Sequence, residues 1–163
     1  MKLKNKDIVY LAAFLFLSYL CWRERSSYLN LSTLAKEAGT WPLLFLFDLL
    51  FSACLLMAYG RAFKKGEQIL LMLGLMMPSI PNFPGMGSLH LAGSYCGLTV
   101  SCMLTLYFLW KYRLKYLPAY TALLLLLLVM YCHEFVVTSL MEWLYLSADL
   151  LLAWLAQRKQ LYF

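Results

Sequence analysis

Three acids stand inside apolar runs of this chain: Asp48, Glu142 and Asp149. An ionisable side chain costs about 2.5–3.5 kcal/mol at the centre of a membrane helix on insertion scales, so one kept there marks a candidate functional group. Glu142 and Asp149 are seven residues apart and share a helical face with Thr138 and Tyr145. That stripe is expected to face other helices rather than lipid. His90, His133 and Glu134 fall at the ends of apolar runs. A histidine beside an acid can act as a general base or carry a proton. The same groups can instead hold the polar part of an amphipathic molecule.

Other chemistries fit less well. Two histidines with Glu134 or Glu142 would make a plausible zinc set. No HExxH or tightly spaced ligand pattern accompanies them, so zinc is kept as a possibility and no cofactor is expected. His133 and Glu134 are adjacent, so their side chains are expected to diverge on a helix. The five cysteines (Cys21, Cys54, Cys96, Cys102 and Cys132) include no CxxC pair and are read as small apolar packing residues. His90 and Cys96, in GSLHLAGSYC, resemble the His and Cys of AgrB-type membrane peptidases. The spacing is one residue shorter, however, and the preceding Arg and double Gly of that family are missing.

The elements that position these residues follow from composition. The chain has 163 residues, 63% hydrophobic and 13% charged. Soluble domains are about 45–50% apolar and about 25% charged. So small a protein has too little interior to hide this much apolar surface from water. The expected fold class is all-α: one polytopic membrane domain over 1–163, a six-helix bundle in the cell membrane. The candidate helices are 8–22, 41–60, 68–83, 91–110, 117–132 and 137–156. The first resembles a signal peptide but lacks a small-x-small cleavage site, and is read as an uncleaved membrane helix. The third is the weakest, because Pro78 and Pro81 interrupt it. It is expected to end in a bend over 79–87, with a re-entrant segment as the alternative.

Charge supplies an orientation. With the N-terminus inside, the cytoplasmic side carries eleven basic residues: Lys2, Lys4, Lys6, Arg61, Lys64, Lys65, Lys111, Arg113, Lys115, Arg158 and Lys159. The outer side carries three: Arg23, Arg25 and Lys36. This asymmetry predicts both termini in the cytoplasm. It also gives the net charge of +6 a role other than binding nucleic acid, which is not an expected partner. Membrane lipids are the expected partners, with other membrane subunits as a further possibility. In this arrangement Asp48, His90, His133, Glu134 and Glu142 gather in the outer half, with Asp149 near the middle. His90, Ser94, Gly97 and Ser101 share one face of the fourth helix, where Gly93 and Gly97 form a GxxxG pair suited to close helix approach. The first outer loop is expected to hold a short surface helix over 32–39, after a glycosylation sequon at Asn30. In the 79–87 bend, Phe83 and Met86 are expected to dip into the interface.

The passage Pro81-Asn-Phe-Pro-Gly-Met-Gly-Ser-Leu-His90-Leu-Ala-Gly93 resembles the "FP…H..ga" stretch of small six-helix membrane proteins of the Frag/DRAM/Sfk type and their bacterial relatives. Met141-Glu142-Trp143, with Asp149 seven residues after Glu142, resembles their Glu-aromatic pair and following polar residue. The position matched by Asp149 is usually an amide there. The resemblance implies a six-helix bundle connected with membrane lipids or lipid-anchored proteins, and directs interest to His90 and Glu142. The leading functional expectation is an outer-facing polar pocket for a lipid or amphipathic ligand. In it Asp48, His90 and Glu142 make contacts, with His133 and Glu134 at the rim and Asp149 as a further ligand-binding candidate. A membrane-embedded hydrolase or transferase using His90 and an acid is the second reading. An accessory subunit or small transporter is the third.

Overall fold

A computed structural model of the chain describes residues 5–23, 39–79 and 87–159. Six α-helices occupy them: α1 (Asn5–Arg23), α2 (Trp41–Tyr59), α3 (Lys65–Met76), α4 (Gly87–Tyr112), α5 (Leu117–Glu134) and α6 (Ser139–Lys159). There is no strand among the described residues. Four helical stretches are long and apolar enough to cross a membrane: Trp41–Ala62, Gly87–Tyr112, Leu117–Glu134 and Ser139–Arg158. The N-terminal turn of α1 carries Lys6 and Asp7, and α1 falls outside that set. So does α3, whose twelve residues reach only about 18 Å at 1.5 Å per residue. The expected surface helix over 32–39, the sequon at Asn30, and Phe83 and Met86 in the 79–87 bend lie outside the described residues.

Local chemistry sets the element ends. Pro42 and Pro118 sit in the first turns of α2 and α5, where a missing N–H breaks no helical bond. Gln68 holds the turn between α2 and α3, its amide donating to the carbonyls of Gly60 and Phe63 at 2.8 and 3.0 Å. The Lys64 N–H donates to the Glu67 carboxylate at 2.8 Å and so caps α3. The third helix starts three residues earlier than expected. It gives way at Met77–Ser79 to a 3-10 turn around Pro78, because proline cannot continue the α-helical bonding. α5 ends at Phe135, left-handed with φ 54°, its N–H returning to the Tyr131 carbonyl at 2.7 Å.

α1 and α6 run antiparallel. Ser18 Oγ accepts from Trp143 Nε1 at 3.0 Å, while Asp7, eleven residues earlier, meets Trp154, eleven residues later. Trp154 Nε1 donates to Asp7 Oδ1 at 2.8 Å, and Arg158 donates to both carboxylate oxygens at 3.0 and 2.8 Å. The start of α1 and the end of α6 therefore share one face of the bundle, here called the terminal face. Tyr10, near the start of α1, donates to the Cys54 carbonyl late in α2 at 2.9 Å, so α2 begins at the opposite face.

The main core joins α1, α2 and α6 through Ala13, Leu17, Phe47, Leu55, Ala58 and Ala153, each fully buried. A smaller cluster of Leu109, Tyr120 and Tyr145 attaches α5. The outside is apolar as well. Leu11 and Leu15 of α1, Ile69 and Leu73 of α3, and Leu125 and Val129 of α5 are each at least half exposed. A belt of this kind in water would drive aggregation. In a bilayer the hydrocarbon solvates it, and backbone polar groups stay satisfied within each helix.

Candidate functional site

The bundle holds a cavity of about 380 Å³ in the half away from the terminal face. Its wall includes Asp48 of α2, His90 of α4 and Glu142 of α6. Three separate helices thus deliver three of the polar groups singled out by sequence to one space. The rest of the wall is mostly apolar or aromatic, with Leu44, Phe47, Phe51, Leu75, Leu91 and Leu146 among its members. Among the described residues no Lys or Arg lines it.

Each polar group is held by its surroundings. Asp48 is buried and accepts from Ser79 Oγ at 2.7 Å. That contact ties α2 to the turn that ends α3, so the break at Pro78 gives the carboxylate its partner. The same turn seats on α4 at Gly97, where an added Cβ would lie 2.4 Å from Pro78 Cγ and Cδ. Only a residue without a side chain permits this approach, which gives the second glycine of the GxxxG pair a packing role. His90 is buried against the edge of Trp41, ring centroids 5.5 Å apart. It shares the cavity wall with Ser94, Gly97 and Ser101, the face expected from their spacing. Glu142 is half-buried, in the first turns of α6.

Asp149 takes a different place. It is completely buried, off the cavity wall, and accepts from Tyr120 Oη at 2.7 Å. Thr138 and Tyr145 on its stripe are buried too, so this face of α6 turns inward. Tyr145 bonds to Ser101 Oγ and donates to the Leu98 carbonyl at 3.1 Å. Ser101 and Tyr145 therefore form the cavity floor on the side toward Asp149.

His133 and Glu134 are not brought to this site. They are exposed at the end of α5 and absent from the cavity wall. They also differ from the expectation that neighbours diverge, since His133 Nδ1 lies 3.1 Å from Glu134 Oε1. Side-chain flexibility at an exposed helix end lets them fold toward one another. Cys96 is exposed whereas His90 is buried, so the pair resembling a peptidase dyad sits on different faces of α4. Among the described residues no three of His, Cys, Asp and Glu come together as a metal site.

Sequence reasoning missed three partners: Ser79, Trp41 and Tyr120. Ser79 had a signal, since it directly follows Pro78 where a broken helix frees polar groups. Tyr120 was legible only as a hydroxyl beside the leucine run of α5. No protein-family model, curated protein or solved structure matches the chain.

Proposed function

We propose that this protein crosses the cell membrane six times with both ends in the cytoplasm. We further propose that it binds the polar end of a lipid or other amphipathic molecule in the outer-half cavity. One observation carries the binding reading. Asp48, His90 and Glu142 line a single space of about 380 Å³ whose remaining wall is largely apolar. A space of that size suits a small ligand, and a few convergent polar groups on an apolar wall are what fix a ligand's orientation. The polar wall groups fit a headgroup that donates hydrogen bonds, an amine or hydroxyls. A bare phosphate suits it less well, because no Lys or Arg among the described residues lines the space. The likeness of the His90 and Glu142 segments to Frag/DRAM/Sfk-type proteins points in the same direction.

Support for the topology comes from the Asp7–Arg158 clamp, which holds the start of α1 beside the end of α6. The eleven-to-three split of basic residues favours the cytoplasm for that face. Lys111 lies over the rings of Tyr107 and Tyr112, at 5.4 and 5.2 Å from their centroids, as amphipathic side chains do at a membrane interface. Reporter tags after Gly85 and after Lys64 test this directly. Opposite sides are expected; the same side for both refutes the six-span arrangement.

The binding reading is tested by native mass spectrometry of protein extracted from its own membrane. A bound amphiphile is expected on the unmodified protein and is reduced at least tenfold in His90→Ala and Glu142→Gln, about 1.4 kcal/mol. Equal occupancy in both variants refutes it. A second reading, hydrolysis or group transfer with His90 as general base, draws on the shared wall of His90 with two acids. It requires that the extracted ligand be converted by the unmodified protein and not by His90→Ala.

A further inference from the structure

Beneath the cavity floor lies a second polar centre. Asp149 is fully buried, and the side chains acting on it are hydroxyl groups: Tyr120, Thr105, Tyr145 and Ser101. No basic side chain is among them. One carboxyl oxygen, Oδ1, accepts from Tyr120. The other, Oδ2, has no hydrogen-bond partner, and neither has Thr105 Oγ1 or Tyr59 Oη, all buried. Thr105 faces both Asp149 and Tyr59 yet makes no bond of hydrogen-bonding geometry with either.

Three buried oxygens from α2, α4 and α6 thus stand near one another without direct partners. An unpaired ionised carboxylate in such surroundings is strongly disfavoured, and buried polar atoms are almost always satisfied. Something small and positive resolves both problems at once. Thr105 and Asp149 lie one helical turn beyond Ser101 and Tyr145, the residues of the cavity floor, so the centre adjoins the cavity through that hydroxyl pair.

We propose that Asp149, Thr105 and Tyr59 form a binding site for a small monovalent cation, a proton or an alkali-metal ion. It sits under the amphiphile cavity and is separated from it by the Ser101–Tyr145 pair. The proposal does not depend on what the cavity holds. The groups facing the site are Tyr59 from α2, Ser101, Cys102 and Thr105 from α4, Tyr120 from α5 and Tyr145 from α6. Of these, Asp149 alone is a carboxyl and carries the charge that pairs with the cation. From α1, Tyr10 faces Tyr59 and is committed to the Cys54 carbonyl.

The test is thermal unfolding of the purified full chain in lipid nanodiscs. Sodium or potassium chloride is titrated against choline chloride at constant ionic strength, and pH is varied separately. A ligand bound only by the folded state stabilises it by mass action. A metal ion is expected to raise the melting temperature saturably, by roughly 5 °C or more at a hundredfold excess over Kd. A proton instead gives a melting temperature that falls as pH rises and the site empties, with no response to sodium or potassium. The salt response must disappear in Asp149→Asn, and the pH response must shrink to what the other buried carboxyls, Asp7 and Asp48, leave. Both must weaken in Thr105→Val, which keeps the Asp149 carboxyl and serves should Asp149→Asn fail to fold. If Asp149→Asn, or Thr105→Val in its place, responds to salt and pH as the unmodified protein does, the site is refuted. The same holds if the unmodified protein responds to neither.

Discussion

The two polar regions of this bundle are built from the same helices and differ in what surrounds the acid. Around Asp48, His90 and Glu142 the helices part, and the side chains line open space. Around Asp149 they close, and the acid is sealed among hydroxyls. The difference originates in α3. Its break at Pro78 sends a turn across to Gly97 of α4, and Ser79 of that turn bonds Asp48 of α2, so the turn bridges the first halves of α2 and α4. One turn beyond Ser101, the pairing of α4 with α6 is unobstructed, and Thr105 and Leu109 are buried. An interrupted helix thus makes room for a ligand at one depth, and uninterrupted helices exclude one of that size at the next.

Breaking that bridge should have the largest effect. Gly97→Leu puts a side chain where Pro78 already sits 2.4 Å from the built Cβ position. Overpacking typically costs about 1–3 kcal/mol, and a clash with the rigid ring of Pro78 should reach the upper end. The chain is expected to be lost from the membrane fraction or to melt several degrees lower, as followed by fluorescence-detected size exclusion on heating. Gly97→Ala should show the same fault in milder form.

Substitution in the open region alone should separate binding from stability. His90→Ala and Glu142→Gln should abolish binding of the proposed amphiphile, while the half-exposed position of Glu142 keeps the change in melting temperature of Glu142→Gln small. The smallest effect belongs to His133→Ala with Glu134→Gln. Both side chains are exposed, at 82% and 47%, and exposed ion pairs contribute little. Neither ligand occupancy nor melting temperature is expected to move, and a loss of occupancy would extend the site to the end of α5.

Much of the architecture is legible in hydropathy, because lipid imposes one helical length on every crossing. The segments expected at 41–60, 91–110 and 117–132 correspond to α2, α4 and α5; α4 extends beyond its expected range at both ends, whereas α6 starts two residues later and ends three residues later than 137–156. The inward stripe of Thr138, Glu142, Tyr145 and Asp149 was legible for the same reason: helical periodicity converts spacing into direction. What spacing does not carry is which helices meet. The separation of Asp149 from Glu142 into different chambers depends on Ser101 bonding Tyr145 across 44 residues. The exclusion of His133 and Glu134 depends on α5 packing at the edge of the bundle, with Tyr120 its one buried residue.

The proposed function requires an occupied cavity. Its most direct test is an experimental structure of the protein in nanodiscs of its native lipids, read at the space between Asp48, His90 and Glu142. Elongated non-protein density is expected there, with its polar end against those three side chains and its tail along Leu44, Phe47 and Leu146. A space closed by inward movement of α4, or one in which His90 and Glu142 turn to different helix interfaces, would contradict it.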